Sequence, residues 1–181
     1  PPVRMNLSIG DSLAALHGVI GALMALHARR ETGRGQIVDV ALYEAVFNMM
    51  ESALPEFDRY GLVRERTGTN LTGIVPSNTY PTADGRHIVI GGNADSIFKR
   101  LMRAIGRADL ADDPALADNA GRVAQMQRID EAIAAWTSAH TLEEGLAVMA
   151  RAEVPSGRIY SVADMVDDPQ YLARAMIERV R

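Results

Sequence analysis

Cysteine is absent from this chain of 181 residues. That absence excludes disulfides, thiol nucleophiles and Cys-ligated metal sites, and it fits a reducing compartment, so the expected location is cytoplasmic. An excess of positive charge is also missing: the formal net charge is −4, whereas a nucleic-acid surface shows a basic face, so no nucleic-acid partner is expected. Long hydrophobic runs are lacking. The longest apolar stretch, Leu13–Leu26, is short for a bilayer and is broken by His17 and small residues, so no membrane partner is expected either. Pro1–Asn6 has no signal-peptide layout. There are only four histidines, none at metal-ligand spacing, which argues against a metal site. Gly33-Arg34-Gly35 lacks the third glycine and the preceding strand of a dinucleotide fingerprint, and no Gly-Lys-Ser/Thr follows any glycine cluster.

What is present suits one ordinary domain or two small ones, with enough apolar residues for a real core. Ser12–Glu31 carries Leu13, Leu16, Val19, Ile20, Leu23 and Met24 at helical spacing, which predicts a helix with a wide buried face. Asp11 or Ser12 can cap its start, and Gly33 suits its end. Gln36–Val40 reads as a short strand. Leu42–Leu54 reads as a helix disturbed at Pro55, with Glu56–Val63 as a second helical piece. Arg64–Asn78 has no periodicity and reads as a linker or functional loop. Ala83-Asp84-Gly85 joins two short β-runs as a hairpin, and Ala94–Ile105 is an amphipathic helix stopped by Gly106. Ala108–Asn119 reads as a loop with a short turn and Asp113-Pro114, Gly121–Ala139 as a helix with the sole tryptophan, Trp136, and Thr141-Leu142-Glu143-Glu144 as a capping box. Val154–Tyr160 is a short strand, Ser161–Asp164 caps a last helix, Asp168-Pro169 starts a turn, and Met176–Arg181 reads as an incoming strand.

Several residues are candidates for chemistry. Asp11, before an apolar helix, is either a simple N-cap or a carboxylate held by helix N–H groups and usable as a nucleophile. His17 reads as a satisfied core histidine or a base, and His27, His87 and His140 read as structural or exposed. Gly91-Gly92-Asn93 either brings bare backbone N–H groups to a ligand or is a strand-to-helix turn capped by Asn93. Arg64, Arg66, Arg122 and Arg128 are anion ligands or solvated surface. The pair Asp112-Asp113 reads as a solvated loop.

Gly10-Asp11-Ser12, the helix with His17, and Arg30-Glu31-Thr32-Gly33-Arg34-Gly35-Gln36 closely resemble the class III CoA-transferases. So do Val38-Asp39-Val40-Ala41-Leu42, Ile74-Val75-Pro76-Ser77-Asn78-Thr79-Tyr80 with Ala83-Asp84-Gly85, and Val154-Pro155-Ser156-Gly157-Arg158-Ile159. The resemblance covers essentially the whole chain in order. It implies a helix-rich α/β fold: the late part of a Rossmann-like large domain (1–43), a linker helix and loop (44–69), a small α/β domain with a short antiparallel sheet (70–164), and the start of a return linker (165–181). It also implies an interlocked homodimer. The family's N-terminal half and final return segment are expected to lie outside this sequence.

Asp11 matches the family's catalytic aspartate, which carries acyl groups and then CoA covalently. The substrates implied are an acyl-CoA and a small carboxylic acid, with no tightly bound cofactor. Leu42, Gly73, Gly91, Gly92 and Asn93 are the candidates for contacts to the CoA thioester. The glycine-rich loop of formyl-CoA transferase has no full counterpart, since only Gly68 and Gly73 precede Pro76, which argues against formyl-CoA and oxalate. Two other readings stay open: the racemase branch of the family, which uses the same aspartate for proton transfer, and a catalytically inert structural or dimerising piece.

Overall fold

The computed structural model describes residues 5–178 and 180. They form two compact units, Pro1–Glu65 and Arg66–Arg181. The division falls inside the stretch 44–69 read as a linker.

The first unit is built on α1 (Ile9–Thr32). It carries no proline, and Gly33 ends it at φ 70°, donating its N–H to Arg29 O at 2.8 Å, with Arg29 and Arg30 in the last turn. The helix starts earlier than the sequence suggests. Ser8 occupies the cap position, its carbonyl already accepts the Ser12 N–H at 3.0 Å, and Asp11 lies inside the first turn rather than capping it.

The expected buried face of α1 is not buried. Leu16, Val19, Ile20, Leu23 and Met24 are all exposed, and no residue of α1 is buried. The reason is geometric: 24 residues extend about 36 Å at 1.5 Å per residue. Against this the unit sets α2 (Leu42–Phe47), only about 9 Å long; α3 (Ala53–Tyr60) follows it and is not packed along α1. Ala45 on α2 is the one buried hydrophobic residue described in this unit. By length and composition α1 is also apolar enough to cross a membrane, a correction to the shorter run read from the sequence. The helix runs on through His17, whose Nδ1 bonds back to Leu13 O at 2.8 Å.

Gln36–Val40 is extended but pairs with no strand, so the predicted strand is corrected to an unpaired segment. A strand needs a neighbour for its backbone groups, and none lies alongside among the described residues. Val38 instead packs on α1 at Gly21, where an added Cβ would come within 2.6 Å of Val38 Cγ1. The helix break comes at Asn48–Ser52, before Pro55 rather than at it. Pro55 sits in the first turn of α3, where a missing N–H costs nothing.

The second unit holds the core. β1 (Ser77–Pro81) and β2 (His87–Gly91) form the expected hairpin, with Thr79 opposite Val89, and β3 (Ser156–Arg158) adds antiparallel to β2. The alternation buries Tyr80, Ile88 and Ile90 and leaves His87 and Val89 outside. Helices α4 (Asp95–Ala104), α5 (Ala108–Ala111), α6 (Asn119–Ala124), α7 (Met126–Thr137) and α8 (Leu142–Arg151) complete the layer over that face. Phe98, Leu101, Met102, Leu110, Ile129, Ile133 and Met149 interlock there.

The single helix expected over Gly121–Ala139 is two, broken at Gln125 (φ −119°). α6 tilts against the 3-10 turn Pro114–Leu116 so closely that a Cβ on Gly121 would meet Ala115 O. The segment Ala108–Asn119, read as loop, holds α5 and that turn. Trp136 is half-buried at the core's edge and stacks on His140, centroids 4.2 Å apart. The Thr141 capping box forms as predicted, and a second one, Ser161 with Asp164, opens α9 (Val162–Asp167). Asp168 caps α10 (Pro169–Ala173). Met176–Glu178 is not strand; Arg179 and Arg181 of that predicted strand lie outside the described residues, as do Pro1–Arg4.

Candidate functional site

In the first unit the candidate is the opening turn of α1. An α-helix leaves its first N–H groups without intrahelical partners, and no side chain caps this one. Asp11 is exposed within that turn, so its carboxylate shares the turn with uncapped donors and the positive end of the helix dipole. Gly10 lies against α2, where an added Cβ would touch Val46 Cγ2 at 3.4 Å. Further along, His17 Nε2 accepts from Asn48 Nδ2 at 3.2 Å while Nδ1 donates to Leu13 O. Both ring nitrogens are therefore satisfied, and His17 ties α1 to the end of α2. A cavity of about 370 Å³ runs beside it, lined among others by Gly21, Val38, Asp39, Glu44 and Asn48. Leu42 opens α2 and is exposed.

In the second unit Gly73 is exposed, adopts φ 76°, and its N–H has no partner among the described residues. The Gly91-Gly92-Asn93 turn differs from the bare-donor picture. Gly91 N–H donates to Pro155 O and Gly92 N–H to Pro76 O, both at 2.9 Å. Gly92 has a packing reason to be glycine: a Cβ there would meet Leu101 Cδ2 at 2.7 Å. Ala94, not Asn93, holds the cap position of α4. Asn93 is exposed, its carboxamide has no partner among the described residues, and its carbonyl accepts from Arg122.

Of the arginines read as anion ligands or surface, Arg64, Arg122 and Arg128 are engaged elsewhere, while Arg66 is exposed with no partner among the described residues. Arg122 is fully buried, bonded to Val75 O, Leu116 O, Asn93 O and Asp95, and lies 5.0 Å over the Phe98 ring. Buried guanidinium groups need all these acceptors. Arg64 is bidentate on Glu56, and its hydrogen bond, followed by that of Ser52, holds the Glu56 carboxyl at about 2. Arg128 pairs with Asp113, and Arg103 with Asp112; the acidic pair is thus bonded rather than merely solvated.

Two polar groups escaped the sequence reading. Asp130 accepts from the Tyr80 hydroxyl at 2.6 Å and from Asn78 Nδ2 at 3.3 Å; burial first, then this carboxylate, pushes the Tyr80 hydroxyl's pKa upward. Asn119 holds both Gly73 O and Val75 N–H. Their partners lie 44 to 52 residues away in sequence, so no local spacing announces them.

A match to CoA-transferase family III covers residues 1–181. The chain is 48% identical over 177 residues to a succinyl-CoA:D-citramalate CoA-transferase of Chloroflexus aurantiacus, covering 98% of this chain and 44% of the relative. It is 36% identical over 174 residues to the alpha subunit of a succinyl-CoA:L-malate CoA-transferase of the same organism, covering 96% and 41%. Among solved structures it superposes on a CaiB/BaiF family protein from Brucella suis with TM-score 0.77 and 30% identity, covering 97% of this chain and 46% of that one. The chain thus spans less than half the length of these relatives. The motifs, the fold and a match along the full sequence agree: the chain belongs to CoA-transferase family III.

Proposed function

We propose that this chain carries the nucleophile of a CoA-transferase, and that the nucleophile is Asp11. The observation that carries the reading is the exposed carboxylate in the uncapped first turn of α1. One Asp11 oxygen attacks the thioester carbonyl of the acyl-CoA. The C–S bond breaks, CoA leaves as thiolate, and a mixed anhydride forms. The thiolate then attacks the aspartyl carbonyl, releasing the first acid as its carboxylate and leaving an aspartyl-CoA thioester. The acceptor carboxylate attacks that thioester, and the thiolate finally attacks the new acyl carbonyl, regenerating Asp11. Each step exchanges an acyl group between oxygen and sulfur, so electrons and protons balance without a redox partner. Uncapped N–H groups stabilise oxyanions; one such donor is typically worth about 3 kcal/mol.

The relatives' names support succinyl-CoA as donor and a small dicarboxylic acid as acceptor. Leu42, the free Gly73 N–H and the Asn93 carboxamide are the proposed contacts to the substrates, with Gly91 and Gly92 shaping the turn. A homodimer is the proposed assembly.

The test is Asp11→Asn and Asp11→Ala in the full-length protein. Transfer falls by roughly 10⁴-fold or more, as for loss of a nucleophile elsewhere, while the melting temperature stays near that of the parent. Turnover within tenfold of the parent would overturn the assignment. Epimerisation of a 2-methylacyl-CoA without transfer would place the chemistry in the racemase branch instead.

A further inference from the structure

Half-buried residues of α1 trace one face of the helix. Gly10, Ala14, His17, Gly21 and Ala25 recur every three or four residues and share it. The contacts to the segment after the helix fall on this face: Gly10 lies against Val46, His17 against Asn48 and Gly21 against Val38. All of these residues but His17 are glycine or alanine. Such a face lets backbones approach, but it offers few side chains to interdigitate, so packing alone resists sliding and rotation weakly. His17 supplies what the face lacks. Its Nδ1 meets Leu13 O at 2.8 Å, so that nitrogen carries the proton, and in the neutral ring Nε2 is an acceptor. Asn48, the C-cap residue of α2, donates Nδ2 to it at 3.2 Å. Among the described residues this is the one side-chain hydrogen bond joining α1 to another element. Asp11 follows Gly10 directly, about 100° round the helix from the contact face.

We infer that the His17–Asn48 bond fixes the rotation of α1 against α2, and with it the direction in which the Asp11 carboxylate is presented, making His17 and Asn48 positioning residues for the nucleophile. The inference rests on the reading of Asp11 above. Orientation is worth this much machinery, because misplacing a reacting group by about 1 Å costs up to about 100-fold in rate.

The test uses the full-length protein with succinyl-CoA and D-citramalate, the substrates named for the relative at 48% identity. Asn48→Ala lowers kcat about tenfold and leaves the KM for succinyl-CoA within about twofold, the pattern of a misplaced nucleophile rather than a lost substrate contact. His17→Leu does the same, and the double variant is no worse than either single one, because both remove one bond. Asn48→Asp sets acceptor against acceptor while the ring is neutral, and protonation turns Nε2 into a donor. Its kcat deficit against the parent therefore shrinks as pH falls from about 8 to about 6, whereas the deficit of Asn48→Ala stays constant. Asp39 and Glu44, the other titratable groups lining the cavity beside His17, are common to both variants. The bond is also read without any variant, by ring ¹⁵N NMR of the parent, which shows a protonated Nδ1 and a bare Nε2 in the neutral form. A kcat within twofold of the parent in Asn48→Ala overturns the inference, as do losses that multiply in the double variant, or the opposite tautomer. Those results with an inactive Asp11→Asn reject the positioning bond alone. An active Asp11→Asn with the Asn48 effects intact rejects the nucleophile alone.

Discussion

The two units of this chain treat their apolar residues in opposite ways. In the second, Leu101, Ile88, Ile90 and Ile133 are wholly withdrawn from solvent. In the first, Leu23 is 62% exposed on a helix just as regular. Helical periodicity states which residues share a face; it does not state that a partner surface is at hand. The second unit supplies its own partner: the three-stranded sheet and helices α4, α5, α7 and α8 share one core. The first sets one short helix, α2, against one of 24 residues.

Stability measurements by urea unfolding, read separately for each unit, break or sharpen this contrast. Arg122→Met gives the largest loss, about 3–5 kcal/mol, because the buried carbonyls of Val75 and Leu116 and the carbonyl of Asn93 lose their donor. A change under 1 kcal/mol would show that the guanidinium is not the link between those segments. Leu101→Ala costs about 2–5 kcal/mol, whereas Leu23→Ala stays within about 0.5 kcal/mol. Equal losses for the two leucines would show that α1 is covered after all. Thr141→Ala removes the capping box and costs about 1 kcal/mol.

The smallest effect is electrostatic. The Glu56 carboxyl is depressed to about 2 by Arg64 and Ser52. A depressed carboxyl contributes stability that is present above its ordinary value and lost as pH falls through the folded one. The Arg64–Glu56 link at α3 therefore weakens between about pH 4.5 and 2. NMR titration of Glu56 reads this directly, and Arg64→Ala returns the carboxyl toward its ordinary range. An unmoved titration would show that the pair does not form in solution.

The same contrast explains what was legible in the sequence. Local signals read well. Asp84-Gly85 gave the hairpin, Gly106 the end of α4, and Thr141 and Ser161 the capping boxes, because each acts within a few residues of itself. α1 starts three residues before the expected point, because Ser8, Asp11 and Ser12 are all cap-type residues and spacing does not choose among them. Gln36–Val40 is no strand, because β-branched residues state a preference and a strand also needs a neighbour. The break at Gln125 was invisible: it follows from Arg122 turning inward to reach Val75, Leu116 and Asn93. At the candidate site, the motif places Asp11 at the start of the apolar helix, where it is found, and its role is the proposal above. The engaged amides of Gly91 and Gly92, and the bonds of Asn119 to Gly73 and Val75, depend on contacts across the fold and left no trace in spacing.

The central claim is that Asp11 becomes acylated during turnover. The direct measurement is trapping: the full-length protein is incubated with succinyl-CoA, quenched with hydroxylamine, digested and mapped by mass spectrometry. The account predicts a hydroxamate on Asp11 that depends on the acyl-CoA and is absent from Asp11→Asn. A fully active protein with an unmodified Asp11, or with the adduct on another carboxylate, would contradict it.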